Sequence, residues 1–285
     1  MSEKKVAFLS NHFSGFNLLK LVYNYFNLLL IQNDNNNLIS GFKDFKEFKN
    51  SDIQIYNLKS YELKKDINTI NKLGIDVLIV AGYQRLVPLE IINNCKIGAF
   101  GFHGSSNPLP KGRGRSPINW ELIKGEKKFI SHMFKLTENP DDGEIITSKE
   151  TEMTHVDNVR TVYHKITFLM AEMIMEQMPN IINDNYKSIP QVGNPTYFPK
   201  RNPDDSEINW NQSTEEIYNF VRALADPYPN AFTMQKGKKL DIKYSFPFIN
   251  NSELINEHSP GEVIMELGVN EYLFKTVDGS IILGT

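Results

Sequence analysis

Cysteine is almost missing from this chain: its 285 residues include one, Cys95. A single thiol closes no internal disulfide, so a reducing, cytoplasmic setting is expected. Long apolar runs are missing too. No stretch approaches the roughly 20 apolar residues that cross a bilayer, and the opening MSEKKVAFLS holds too short an apolar run for a signal peptide. No membrane is therefore expected among the partners. There is no basic excess: 31 Lys and Arg face 34 Asp and Glu, giving a net charge of −3. Apart from Lys111, Arg113 and Arg115 the cations are scattered, which argues against a dedicated nucleic-acid binder. The six histidines, His12, His103, His132, His155, His164 and His258, form no H-E-x-x-H or paired Cys/His pattern, so no metal is expected. There is no P-loop and no internal repeat.

What is present is a chain that is 40% hydrophobic, enough for one large core or two smaller ones. Strand-like and helix-like stretches alternate in the first half. Val6–Ser10, Leu28–Ile31, Ile53–Leu58, Asp76–Ala81 and Ile97–His103 read as strands. Phe16–Phe26 and Tyr61–Leu73 read as helices, and the Asn-rich Asn33–Asn37 as a surface turn. This rhythm predicts an α/β fold, an open, mostly parallel sheet with helices on both faces. Ligands in such sheets bind beyond the carboxyl ends of the strands, where His103 stands. Ser116–Pro117 reads as the N-cap and first position of a helix over Ile118–Lys124. Two strands, Phe129–Lys135 and Glu144–Glu150, precede a long helix from Val159 to Met178 that Pro179 is expected to stop. The texture then changes. Pro190–Asp205 reads as a linker and Thr214–Leu224 as a helix. Phe232–Gln235, Lys239–Tyr244, Gly261–Leu267, Tyr272–Thr276 and Ile281–Leu283 read as short strands of a small β-barrel-like domain. The expected division is residues 1–190, a linker over 191–205, and 206–285.

Two segments carry chemistry. GFHGSSNPLPKGRGRSPINWE (101–121) is a Gly- and Pro-studded loop at a strand end, holding His103, hydroxyls, amides and three cations. Alone it reads equally well as a surface loop. TENPDDGEII (137–146) sets an acidic pair before Gly143 between two strands, the usual dress of a hairpin turn. Together they offer a base and a carboxylate to orient it.

With these residues in view, the chain resembles the folate-dependent formyltransferases. His103-Gly104-Ser105, Leu109-Pro110-Lys111 and Arg113-Gly114-Arg115-Ser116-Pro117-Ile118-Asn119-Trp120 resemble that family's hallmark loop, closest to the enzymes acting on amino sugars linked to a nucleotide, such as UDP-4-amino-4-deoxy-L-arabinose. TYFPKRNPDDSEINW (196–210) and VRALADPYPNAF (221–232) are similar to the linker and second domain of the same enzymes. The resemblance implies a Rossmann-like catalytic domain followed by an OB-like one. It implies formyl transfer from 10-formyltetrahydrofolate to the amine of a nucleotide-linked amino sugar, and a homodimer through the second domain. It also implies residue roles. The family's Asn-x-His and D-x-G elements place the catalytic pair at His103 and Asp141. The Asn position falls on Gly101, and the loop is about two residues longer here. Asn107 is the first candidate for the missing amide, ahead of Asn119, the Ser105 side chain or a backbone N–H. Folate is expected beside Gly82, Arg85, Leu86, Val87, Leu109, Pro110 and Asp141. The other substrate is expected near Ser105, Lys111, Arg113, Arg115, Lys200 and Arg201, the cations meeting a diphosphate. Methionyl-tRNA formyltransferase, a formyltetrahydrofolate hydrolase, and a non-catalytic folate- or nucleotide-binding relative are the alternatives. The net charge of −3 weighs against the first and Gly101 supports the last.

Overall fold

The computed structural model describes residues 4–32, 41–51, 53–226, 228–250 and 252–285; the Asn33–Asn37 turn lies outside them. By packing, the chain divides into two compact units. The first comprises Met1–Gly114, Lys128–Thr151 and Tyr163–Tyr197, and the second Arg115–Lys127, Glu152–Val162 and Phe198–Thr285.

In the first unit, β1 (Val6–Leu9), β2 (Leu28–Gln32), β3 (Gln54–Asn57), β4 (Val77–Val80) and β5 (Gly98–Ser105) run parallel. With β7 (Lys128–Lys135) and β8 (Ile145–Glu152) they form one sheet in the order β3-β2-β1-β4-β5-β7-β8. β7 pairs antiparallel to β5. The helices between strands are α1 (Phe13–Val22), α2 (Ile67–Lys72) and α3 (Leu89–Ile92). Ala7, Leu9, Leu29, Ile31, Leu78 and Ala99 of one sheet face pack with Ile70 of α2 and Ile91 of α3. Phe8, Leu30, Ile79 and Phe100 on the other face are equally buried. A sheet covered on both sides explains why its strands are continuous apolar runs rather than alternating ones.

Three helix expectations change, the first being Phe16–Phe26, which is found as α1 at Phe13–Val22, starting three residues earlier and ending four earlier. Tyr61–Leu73 is broken into a 3-10 turn at Leu63–Lys65 and α2, because the buried Asp66 carboxylate accepts from the Lys59 and Ser60 N–H groups and draws the chain inward. The long helix α5 (Val159–Ile182) runs through Pro179 instead of stopping there. A proline costs a helix one internal hydrogen bond and crowds the preceding turn. Here Met178 and Ile181, both fully buried, offset that cost, and the Asn183 side chain caps the Pro179 carbonyl.

In the second unit, α4 (Pro117–Ile123) meets α6 (Thr214–Ala223) through a hydrogen bond from Asn119 Nδ2 to the Ala223 carbonyl, 2.7 Å. Ser116 is the N-cap residue with Pro117 behind it, but Ser116 is left-handed (φ 53°) and its hydroxyl caps nothing. A reciprocal capping box, Ser213 with Glu216, starts α6. Ile217 and Val221 of α6 pack on Ala231, Ile242, Phe274, Ile281 and Leu283. Two further strands of two residues each are β6 (Arg113–Gly114) and β9 (Tyr197–Phe198). The barrel-like expectation takes the form of two antiparallel sheets. One is β10 (Ala231–Gln235) with β11 (Lys238–Ile242). The other orders β12 (Tyr244–Phe248), β15 (Ser280–Gly284), β14 (Glu271–Lys275) and β13 (Val263–Gly268). The run read as one strand, Lys239–Tyr244, changes sheets between Ile242 and Tyr244.

Candidate active site

Strand order reverses direction between β1 and β4, which creates a crevice beyond their carboxyl ends. The Asn11 N–H donates to the Gly82 carbonyl there, joining the two strand exits at 3.4 Å. Gly82 has φ +66°, and a Cβ on it would stand 2.8 Å from the His12 Cβ, so both conformation and space demand glycine.

In the register, β4 ends with Val80 opposite Gly101. β5 continues four residues further, which carries His103 past the end of β4. Nδ1 of His103 faces Asp141 Oδ1 at 3.6 Å. Its Nε2 donates to the Gly112 carbonyl at 2.8 Å. The N–H is therefore on Nε2, and Nδ1 is the ring nitrogen turned to the carboxylate.

Asp141 is held by its turn. It has φ +59°, in the left-handed region. Its Oδ2 accepts from the Gly114 N–H at 3.1 Å. A Cβ at Gly143 would lie 1.7 Å from the Lys135 carbonyl oxygen, so the third position of D-x-G must be glycine for the turn to close on the strand. Gln191 spans this turn. Its Nε2 donates to the carbonyls of Asp141 (2.9 Å) and Gly143 (2.8 Å), while its Oε1 accepts from Arg113 Nη2 at 2.7 Å.

His132 stands directly across from His103 in the β5–β7 register. The Leu109 N–H donates to its Nε2 at 3.2 Å, so the proton is on Nδ1, which donates to Ser148 Oγ at 2.6 Å. Burial, followed by the neighbouring His103, pushes its pKa down to about 4. This neutral imidazole fixes the start of Leu109-Pro110.

Gly101 explains the departure from Asn-x-His. It lies two residues before His103 on the same face, and a Cβ there would meet Leu136 Cδ2 at 2.7 Å. The place of an amide is filled by a leucine.

The other expected site residues fall out unevenly. Asn107 is exposed, with its Nδ2 on Ser106 Oγ at 3.0 Å. Ser105 is buried and its hydroxyl holds the loop through the carbonyls of Asn107 and Lys111. Asn119 spends its amide on α6 in the second unit. On the folate side, the Arg85 guanidinium lies over the Tyr61 ring at 4.7 Å, and Tyr83 donates to the Tyr61 carbonyl. Leu86 is 65% exposed, whereas Val87 belongs to the core below. Leu109 and Pro110 are buried and joined by a cis peptide bond. Among the expected cations, Lys111, Arg115 and Lys200 are exposed. Arg113 is committed to Gln191 and Tyr197. Arg201 stacks on Trp120 (5.1 Å) and Phe220 (5.5 Å), and burial lowers its pKa. Gln191 and His132 went unassigned in the sequence: one begins a polar linker and the other reads as an ordinary strand residue. Among the described residues, no group of three or more His, Cys, Asp or Glu is placed to hold a metal.

Comparison with known proteins fits this geometry. Residues 37–178 match the family described as formyl transferase, and residues 200–285 its C-terminal domain. The chain is 33% identical over 191 residues to the bifunctional polymyxin resistance protein ArnA of Wigglesworthia glossinidia brevipalpis, covering 67% of this chain and 29% of that protein. It is 34% identical over 221 residues to the methionyl-tRNA formyltransferase of Thermodesulfovibrio yellowstonii, covering 76% of this chain and 68% of that one. Its fold is shared with WlaRD, a sugar 3N-formyl transferase solved in the presence of dTDP and 5-N-formyl-THF. There the TM-score is 0.70 and the identity 20%, over 100% of this chain and 98% of that one. The N-formyltransferase of Helicobacter canadensis, in complex with folinic acid and dTDP-3-aminofucose, superposes with a TM-score of 0.68 at 20% identity, over 99% of each chain. The chain belongs to the formyl transferase family.

Proposed function

We propose that this protein moves a formyl group from 10-formyltetrahydrofolate to the amine of a nucleotide-linked amino sugar. The observation that carries the reading is the His103–Asp141 pair, set beyond the carboxyl end of β4 and facing at 3.6 Å although 38 positions separate the two residues in the chain. The neutral amine attacks the formyl carbon, a C–N bond forms, and the carbonyl oxygen becomes an oxyanion. The amine's proton passes to Nδ1 of His103, the ring nitrogen without a hydrogen while Nε2–H donates to Gly112. The Asp141 carboxylate stabilises the imidazolium, and the proton then goes to the departing folate nitrogen as the carbonyl re-forms and the old C–N bond breaks. With Leu136 filling the place beside Gly101, the oxyanion needs another donor. Nδ2 of Asn107 keeps one hydrogen free of Ser106 and is the first candidate for that role.

Residues on the folate side suit a flat heteroaromatic ligand. The exposed Leu86 side chain and the Leu109-Pro110 segment supply apolar surface, and strand-end backbone supplies polar contacts. The committed Arg113 and Arg201 leave Lys111, Arg115 and Lys200 as the cations for a diphosphate. The ligands bound in the two sugar-acting neighbours favour a dTDP sugar. The relative from Thermodesulfovibrio favours a tRNA acceptor instead, against which stands the net charge of −3.

A thermal-shift panel decides. Folate is combined with UDP-, dTDP-, GDP- and CMP-linked sugars or with initiator tRNA. A sugar nucleotide at about a hundred times its Kd adds roughly 2.7 kcal/mol, several degrees in Tm. Stabilisation by tRNA and by no sugar nucleotide would overturn the reading.

A further inference from the structure

We propose that Gln191 is a positioning residue that holds the Asp141 carboxylate toward His103. The inference rests on the catalytic reading of that pair.

The chain delivers Gln191 to the turn by a fixed route. Ile145 and Ile189 exchange both backbone hydrogen bonds at 2.8 Å, an antiparallel bridge two residues before Gln191. Pro190 keeps the bridge residue extended. The side chain then reaches across D-x-G, and its amide is used almost completely. Both N–H bonds go to turn carbonyls, and the oxygen accepts from Arg113. Only one orientation of the amide does this; the flipped one would set its oxygen against two carbonyl oxygens and its NH2 against a guanidinium.

What Gln191 grips is the backbone of a residue in an unfavourable conformation. Asp141 has φ +59°, which a non-glycine residue keeps only when its surroundings impose it. The Gly114 N–H holds one carboxylate oxygen, leaving the other toward Nδ1 of His103. Gln191 also reaches this second restraint, because Arg113, which it binds, precedes Gly114 in the chain. One side chain therefore braces the turn that carries the carboxylate and the loop strand that orients it. Local sequence pattern assigns it no role.

The test uses the full chain with Gln191→Met, Gln191→Glu, Asp141→Asn and the double variant Gln191→Met/Asp141→Asn. Turnover is followed as formyl transfer from 10-formyltetrahydrofolate to dTDP-3-aminofucose. Met keeps the length and removes every hydrogen bond. Glu keeps an acceptor for Arg113 but turns carboxylate oxygens on the two carbonyls. Displacement of a catalytic group by about 1 Å costs roughly 10²-fold, so both single variants are expected to lose about 10- to 100-fold in kcat, with both KM values within about threefold. In the Asp141→Asn background the Gln191→Met loss is expected to shrink below about threefold, since a brace matters only while there is a carboxylate to hold. Side-chain 15N spectra of the histidines, read without substrate and assigned with His103→Asn, are expected to move at His103 and stay fixed at His132. Full turnover in both Gln191 variants, an undiminished loss in the Asp141→Asn background, or unmoved His103 resonances overturn the positioning role. If Asp141→Asn itself keeps full turnover, the catalytic reading fails instead. Should the wild type not act on this sugar, the 15N spectra still decide the positioning role. Should Gln191→Met not fold, Gln191→Glu carries the same comparisons.

Discussion

Acid should loosen this protein through His132. The imidazole is 2% exposed, its Nδ1–H donates to Ser148, and its Nε2 accepts from the Leu109 N–H. Protonating Nε2 would set a second hydrogen against that N–H, so charging the ring costs both desolvation and the loop contact. The folded pKa near 4 lies below the ordinary 6.5. Between those values the unfolded chain binds more protons than the folded one, so the stability is fully present above pH 6.5 and is lost as pH falls toward 4. At about 1.4 kcal/mol per pH unit, the loss attributable to His132 is about 2 kcal/mol at pH 5 and approaches about 3 kcal/mol below pH 4. That is a large part of a typical stability of roughly 5–15 kcal/mol. The assay is urea unfolding at pH 7.5 and pH 5 in the wild type and in His132→Gln, where the glutamine oxygen stands in for Nε2 without titrating. His132→Gln is expected to be the less stable at pH 7.5, but to lose about 2 kcal/mol less on going to pH 5. Comparing the two chains cancels the other buried histidine, His12, whose pKa is also lowered to about 4 by burial. Equal losses in the two chains, or a His132 ring titrating near 6.5 by 15N NMR, would refute the reasoning.

Two substitutions test the packing around the His103–Asp141 pair. Gly143→Ala drives a Cβ onto the Lys135 carbonyl, a backbone atom with no room to yield. It should destabilise by at least about 1–3 kcal/mol and cut turnover by displacing Asp141, as read from the urea midpoint and kcat. Gly101→Asn would press on the terminal Cδ2 methyl of Leu136, the end of a half-buried side chain that can turn aside, and should cost about 1 kcal/mol in thermal unfolding, the low end for overpacking. Adding Leu136→Ala should recover part of it, and an unchanged Tm in the single variant would show that the space is not filled as described.

The regular parts of the fold were readable because their signals are local. Asp76–Ala81 is apolar and β-branched over the length of a buried strand, and the structure places β4 there. The helix read at Thr214–Leu224 is found as α6 (Thr214–Ala223) for the same reason. Failures came where tertiary contacts outweighed a local rule. Pro179 should end a helix, but buried Met178 and Ile181 carry α5 past it. Asp66 breaks the Tyr61–Leu73 pattern by turning inward to cap a loop. Among the cations, pattern alone could not separate exposed Lys111 from Arg113, which bonds Gln191 and Tyr197, or from Arg201, which stacks on Trp120 and Phe220.

By itself the sequence determined the residue types of the site: a histidine in a Gly-rich loop and a D-x-G turn, with Gly101 standing where the resemblance implies an asparagine. Each is written within a few consecutive positions. Only the tertiary structure decided that the imidazole and carboxylate face each other, that Leu136 occupies the missing side chain's place, and that His132 and Gln191 hold the two loops. These depend on the antiparallel register of β5 with β7 and on a bridge between Ile145 and Ile189. Pairing across such distances is set by the packing of the whole sheet, and no local run of residues encodes it.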